Sequence, residues 1–101
     1  MELWMRALII DPFKKEIREF EIEKSLCAYQ AAVGGFIEFA VFIDRRDVLY
    51  VADLAKWPER FLVGAQRSYS GCGLVIGTTR DGDAAPAKVS ADALRGVVRF
   101  P

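Results

Sequence analysis

A pair of adjacent glycines, Gly34 and Gly35, is the feature that most restricts how this chain folds. The pair follows an amphipathic segment that ends at Val33 and precedes an extended run that begins at Phe36. Glycine reaches positive φ without a steric penalty, so the pair lets the chain leave a helix and enter a strand at once. We therefore predict a helix–strand junction at this point.

The helix before this junction is predicted over residues 25–33. Ser25 suits the N-cap position because its hydroxyl oxygen can accept a hydrogen bond from a main-chain amide of the first turn. Leu26, Tyr29 and Val33 follow at helical spacing and form an apolar stripe. A helix of about nine residues is marginal in isolation, so we expect this stripe to pack on a sheet.

Apolar runs bounded by turn residues indicate the strands. They lie at residues 4–10, 17–22, 36–43, 48–52 and 70–78. The second run changes phase, which predicts a β-bulge near Arg18. The third is apolar on both parities apart from Glu38, which predicts a central strand covered on both faces. The charged segment 44–47 predicts a hairpin turn between the third and fourth runs.

The remaining segments complete a predicted α+β fold. Residues 55–61 are predicted as a loop or a single helical turn, because Pro58 disfavours helix in the residue before it. Ser90 is predicted to cap a short C-terminal helix, followed by an extended end over residues 97–100. We therefore expect one domain over residues 1–101, with a mostly antiparallel sheet of about four to five strands and the helix at 25–33 packed on it.

Charge and hydropathy exclude several classes of protein. Lysine plus arginine and aspartate plus glutamate number 14 each, and the formal net charge is zero. Such a chain has no overall field to attract nucleic acid or an anionic membrane. The N-terminal segment has an acid where a signal peptide has basic residues, and no apolar run approaches the length of a membrane span. We expect a cytoplasmic protein.

The sequence contains no histidine and no asparagine, which removes the commonest general base and the commonest metal ligand. A Ser-His-Asp or Cys-His relay cannot be assembled from it. Cys27 and Cys72 have no metal-ligand spacing, so we expect reduced, buried thiols. We expect no metal, no cofactor and no enzymatic activity. Glu38, a lone acid in an apolar strand, is either solvated, paired with Arg6 or Arg67, or part of a ligand site.

Aromatic and basic residues near the middle of the chain form the predicted binding surface. Such side chains commonly anchor protein partners, and the residues selected are Trp57, Arg60, Phe61, Arg45 and Arg46.

The first half of the chain resembles a family of short proteins of unknown function from bacteriophages, plasmids and actinobacterial mobile elements. The residues that carry the resemblance are a strand ending in Asp11-Pro12, the helix 26–33, and the sequence from Val33 to Glu38, with Phe36 where tyrosine is common. The resemblance implies a mobile-element accessory protein and supplies no catalytic residues.

Two functions follow as hypotheses. The first is a non-enzymatic protein that binds a host macromolecule, most readily a protein, and blunts a defence system such as restriction or CRISPR. The alternative is a small-molecule or nucleotide binder, or a weak carboxylate-dependent enzyme, that uses Glu38. A homodimer joined through an edge strand at residues 97–100 is compatible with either.

Overall fold

Two antiparallel sheets and two short helices make up the computed structural model, which describes residues 3–44, 46–53, 57–65 and 67–101. The elements are, in chain order, β1 (Trp4–Asp11), β2 (Glu16–Glu23), α1 (Leu26–Val33), β3 (Ile37–Phe42), β4 (Asp47–Ala52), β5 (Arg60–Val63), β6 (Arg67–Ser70), β7 (Gly73–Thr78), β8 (Ala84–Ala85), α2 (Ala91–Arg95) and β9 (Val98–Arg99).

The larger sheet has six strands in the order β2-β1-β7-β4-β3, with β8 paired to the end of β7. The smaller sheet has three strands in the order β6-β5-β9. All described pairs are antiparallel. The predicted α+β class and mostly antiparallel sheet are therefore confirmed, but the sheet is larger than the four to five strands expected, and the strands at 60–70 were not predicted.

The larger sheet is covered on both faces, and each face has its own apolar core. One face packs against α1 and contains Met5, Ala7, Ile22, Val33, Ala52, Leu74 and Ile76. The other packs against the smaller sheet and α2 and contains Leu8, Ile10, Ile17, Leu49, Val51, Phe61, Val75, Ala87, Leu94 and Val98. Successive side chains of a strand point to opposite faces, so β1, β7 and β4 are apolar at nearly every position.

Helix α1 begins and ends as predicted. The Ser25 hydroxyl accepts a hydrogen bond from the Ala28 amide at 3.2 Å, and Gly34 ends the helix in the left-handed region at φ 84°. Val33 is buried and Tyr29 is half-buried, whereas Leu26 is 57% exposed. Leu26 was therefore wrongly assigned to the packed stripe, because the first turn extends beyond the sheet surface that Val33 covers.

Strand β2 contains no bulge, so the bulge predicted near Arg18 is wrong. It pairs with β1 in continuous register from Glu16 to Glu23. Ile17 packs in the core beneath the smaller sheet, whereas Ile22 packs in the core beneath α1. The apolar residues change phase along the sequence because the two ends of β2 are buried on opposite faces of the sheet.

Strand β3 lies at the edge of the larger sheet and is not the covered central strand that its composition predicts. It pairs with β4, and its register shifts between Phe39 and Val41, which marks a β-bulge. β4 pairs on its other side with β7, which comes from a distant part of the chain. Because β7 takes the central position, β3 is left at the edge.

The two cysteines only partly follow the prediction. Both are free thiols, as expected, but Cys27 is exposed on α1 and Cys72 is half-buried. Cys27 lies on the outer face of α1 because the buried positions of the helix fall elsewhere on its circumference.

Asp47 fastens the C-terminal segment to the larger sheet. The segment 44–47 does link the predicted hairpin, but Asp47 itself is fully buried at the start of β4. Its carboxylate accepts hydrogen bonds from the Lys88 amide at 3.0 and 3.1 Å and from the Val89 amide at 2.6 Å. Gly77, opposite Asp47 in the register, has no room for a Cβ because the Pro86 carbonyl lies against it.

We expect Asp47→Ala to lower the free energy of unfolding by about 3 kcal/mol, since it leaves the Lys88 and Val89 amides without their acceptor. Urea unfolding measures the change, and Asp81→Ala in an exposed turn is the control. If the two variants proved equally stable, Asp47 would not anchor the C-terminal segment.

Candidate functional site

The two edges of the larger sheet differ sharply in chemistry. The outer strand β2 exposes charged side chains, namely Glu16, Arg18, Glu19, Glu21 and Glu23. Charged side chains on an edge strand are a common protection against pairing with another chain. The opposite edge, β3, exposes Phe39 and Phe42 together with Glu38. One edge is therefore protected by charge, while the other presents aromatic surface.

The β-bulge in β3 brings two phenylalanines together. Residues three apart in a regular strand point to opposite faces, but the extra residue after Phe39 places Phe42 on the same face as Phe39. Their ring centroids lie 5.3 Å apart at an interplanar angle of 69°. Phe39 is 51% exposed and Phe42 is 57% exposed. Tyr50, opposite Phe39 on β4, is half-buried and extends the aromatic surface.

The main chain of β3 is also open along its outer side. The Asp53 amide donates a hydrogen bond of 2.7 Å to the Phe36 carbonyl, so Phe36 has its carbonyl directed at β4. Because main-chain groups alternate in direction along an antiparallel strand, those of Ile37 and Phe39 face away from β4. Phe36 itself is 75% exposed at the start of the edge.

Glu38 lies on the other face of β3 and is partnered by Asp53 rather than by Arg6 or Arg67. Interaction with the Asp53 carboxyl, first through hydrogen bonding and then through its negative charge, raises the pKa of Glu38, and desolvation adds a smaller effect in the same direction. Both side chains are exposed to solvent.

Three of the predicted surface residues lie near one another in sequence but not on one surface. Trp57 is 36% exposed, packs over Gly71 and meets Phe13 edge-on at 6.3 Å between ring centroids. Arg60 is exposed and donates a hydrogen bond of 2.8 Å to the Ser68 hydroxyl. Phe61 is fully buried in the core and so does not belong to any surface.

The other two predicted surface residues, Arg46 and Arg45, do not complete a binding surface with Trp57 and Arg60. Arg46 is half-buried, and its carbonyl accepts hydrogen bonds from the amide and hydroxyl of Thr78. Arg45 lies outside the described residues.

The prediction for Phe61 was wrong because sequence alone does not show that residues 60–63 form a strand, with alternate side chains directed into the core.

Sequence reasoning did not single out Phe39 and Phe42. The sequence feature that could have pointed to them is their spacing of three residues. In a strand, two aromatic residues at this spacing lie on the same face only when a β-bulge comes between them. A bulge depends on the pairing partner, so the spacing alone did not distinguish this arrangement from a strand buried on both sides.

The described residues build no metal centre, and the environment of Cys72 disfavours its reactive thiolate form. No group of three or more potential ligands lies close enough to hold a metal ion within that part of the chain. Burial and the nearby carboxylate of Asp11 raise the pKa of the Cys72 thiol, which holds its sulfur in the less nucleophilic protonated form. Neither α1 nor α2 is long enough to cross a membrane.

We expect Glu38→Gln to raise the Tm at about pH 7.5, because it removes the repulsion between two carboxylates. A raised pKa in the folded state means that protonation of Glu38 stabilises the wild type as the pH falls, so the difference shrinks towards about pH 4. Thermal unfolding at a series of pH values measures the difference in Tm between Glu38→Gln and the wild type. Glu21→Gln on β2 controls for the lost charge, and a pH-independent difference would contradict the assignment.

Comparison with known proteins identifies the family but no activity. The family described as a domain of unknown function, DUF3846, matches residues 5–93. No curated protein and no solved structure matches the chain. The matched range extends well beyond the first half of the sequence, from β1 into α2. The chain belongs to the DUF3846 family of unknown function.

Proposed function

We propose that this protein is a non-enzymatic binding protein that adds a strand of a host protein to its β3 edge. The observation that carries the proposal is the asymmetry of the larger sheet, in which β2 is protected by charge and β3 exposes Phe39 and Phe42. Addition of a strand to an open sheet edge is a recurrent mode of protein recognition. In that mode, main-chain hydrogen bonds supply affinity and the flanking side chains supply selectivity.

The chemistry of the β3 edge suits such a role. Ile37 and Phe39 direct main-chain groups outward, where an added strand can pair with them. The aromatic pair beside them offers large, rigid contact surface, which is typical of residues that dominate binding energy. The bulge after Phe39 interrupts regular pairing, so the added strand is short and the edge is protected from indefinite association.

The biological setting that we propose is a phage or other mobile element. Support comes from the resemblance of the first half of the chain to short proteins of unknown function from such elements, which implies an accessory role, and from a sequence without histidine or a catalytic relay. A protein of this kind acts by occupying a surface of its target, and a component of a host defence system is the target that we propose.

The two-residue strand β9 offers a much shorter edge than β3 for a homodimer.

The proposal predicts that Phe39→Ser/Phe42→Ser abolishes capture of a host protein while leaving the fold intact. The matched control is Leu3→Ser/Leu26→Ser, which removes comparable exposed apolar surface elsewhere, since these leucines are 63% and 57% exposed. Affinity capture from host lysate is followed by identification of the retained protein. Circular dichroism checks that both variants fold.

A second measurement locates the contact without any mutation. In the complex, the amides of Ile37 and Phe39 should gain protection from hydrogen exchange, because they pair with the added strand. Capture that is equally strong for both double variants, or a complex in which β3 exchanges as fast as in the free protein, would refute binding through this edge.

The neighbouring carboxyl groups of Glu38 and Asp53 favour a second candidate function, the binding of a small molecule or nucleotide or a weak carboxylate-dependent reaction. A carboxyl with a raised pKa sits closer to the pH at which a general acid works. Groups with perturbed pKa values are enriched at functional sites, although structural pairs show them too.

This candidate predicts that a metabolite or nucleotide raises the Tm of the wild type by several degrees and leaves Glu38→Gln unchanged. Thermal shift screening with and without magnesium makes the measurement, again with Glu21→Gln as the control. A screen in which the wild type never shifts, or in which Glu38→Gln shifts equally, would exclude a ligand site at this pair.

A further inference from the structure

We infer that a cavity beside β3 selects partner segments that carry an apolar residue next to a carboxylate. This inference rests on the proposed function, since it concerns the chemistry of the strand that β3 receives. The cavity has a volume of about 320 Å³ and is lined by Val41, Val63, Gly64, Ala65 and Arg67. Val41 belongs to β3 itself, so the cavity adjoins the open edge.

The cavity and the aromatic pair lie on opposite faces of β3. Val41 packs towards the core under the smaller sheet, whereas Phe39 and Phe42 lie on the face that carries α1. Successive side chains of a strand paired to β3 point to alternate faces. One side chain of the partner therefore meets the aromatic pair, and its neighbour reaches the cavity.

Arg67 supplies the charge that gives the cavity its selectivity. It lies opposite Val63 in the hairpin of β5 and β6 and is exposed. Three other arginines, Arg6, Arg18 and Arg95, are already engaged, because each forms an ion pair with an acid. In the described ranges no hydrogen bond or ion pair involves the Arg67 guanidinium.

A guanidinium at the rim of an apolar cavity is complementary to a carboxylate, because its planar fork can donate two parallel hydrogen bonds to the two oxygens. The apolar walls formed by Val41, Val63 and Ala65 accommodate the adjacent aliphatic side chain. We assign the carboxylate to the C-terminus of the partner chain, because the side chain of a residue next to the one in the cavity would point to the opposite face of the strand.

The exposed area favours an extended segment over a second copy of this chain. Phe36, Phe39 and Phe42 together expose roughly 370 Å² if a phenylalanine side chain offers about 200 Å². Each side of a stable interface between folded proteins buries about 800 Å². The aromatic surface supplies less than half of this, whereas a peptide gains main-chain hydrogen bonds along β3 as well.

Three pools of fluorescein-labelled peptides of about six residues test the inference, each alternating threonine with random apolar residues. The first pool ends in a free valine carboxylate, the second in valine amide, and the third in an amide with aspartate after valine. Fluorescence polarisation measures their affinity for the full chain. Arg67→Gln is the test variant and Arg99→Gln is the control, since Arg99 is exposed on the same small sheet and does not line the cavity.

We expect the first pool to bind about tenfold more tightly than the second and third, and Arg67→Gln to remove that preference while Arg99→Gln keeps it. A preference for the third pool would place the carboxylate on an acidic side chain and would overturn the assignment to a chain terminus. Equal binding of all pools, no binding, or a preference that survives Arg67→Gln would overturn the inference.

The same variants separate this inference from the proposed function. If Arg67→Gln leaves host-protein capture intact while Phe39→Ser/Phe42→Ser abolishes it, the β3 edge binds a partner but the cavity does not bind a carboxylate. If capture is independent of Phe39 and Phe42, binding at the edge itself is refuted.

Discussion

The buried carboxylate of Asp47 is the interaction on which the three-layered architecture depends. Its hydrogen bonds to the Lys88 and Val89 amides hold the segment after β8 across the start of β4. The Ala87 amide and carbonyl are fixed in turn to Arg6 on β1. Because this segment leads directly into α2, its position decides where Leu94 enters the core. Without the anchor, one face of the larger sheet would lose part of its cover.

The strand order explains why the two edges of the larger sheet differ in chemistry. β2 pairs with β1 along its full length and directs glutamates and an arginine to solvent, as expected of an edge that must not associate. β3 has a bulge instead of a continuous charged row, and the bulge joins Phe39 and Phe42 into one aromatic surface. An exposed aromatic pair on an otherwise protected sheet is expected at a binding site, because the favourable energy of binding there offsets the cost of exposing apolar side chains to water.

Local elements were predictable from the sequence where short-range chemistry decides them. Ser25 and Gly34 bound α1 because capping and positive φ involve neighbouring residues only. Ser90 caps α2 for the same reason. The candidate site was less predictable, since Glu38 was singled out but its partner Asp53 lies after the end of another strand, β4. Phe61 was taken for a surface residue because the strand that buries it depends on pairing with β6 and β9.

The sequence by itself determined the α+β class, the two helices with their caps, the hairpin of β3 and β4, and the absence of imidazole chemistry. Each of these depends on residue type or on contacts between residues close in the chain. Tertiary structure alone decided that β7 lies between β1 and β4, that β3 is consequently an edge, and that Phe39 and Phe42 share a face. These features arise from pairing between segments far apart in sequence, and a run of apolar residues is compatible with either a central or an edge position until its neighbours are in place.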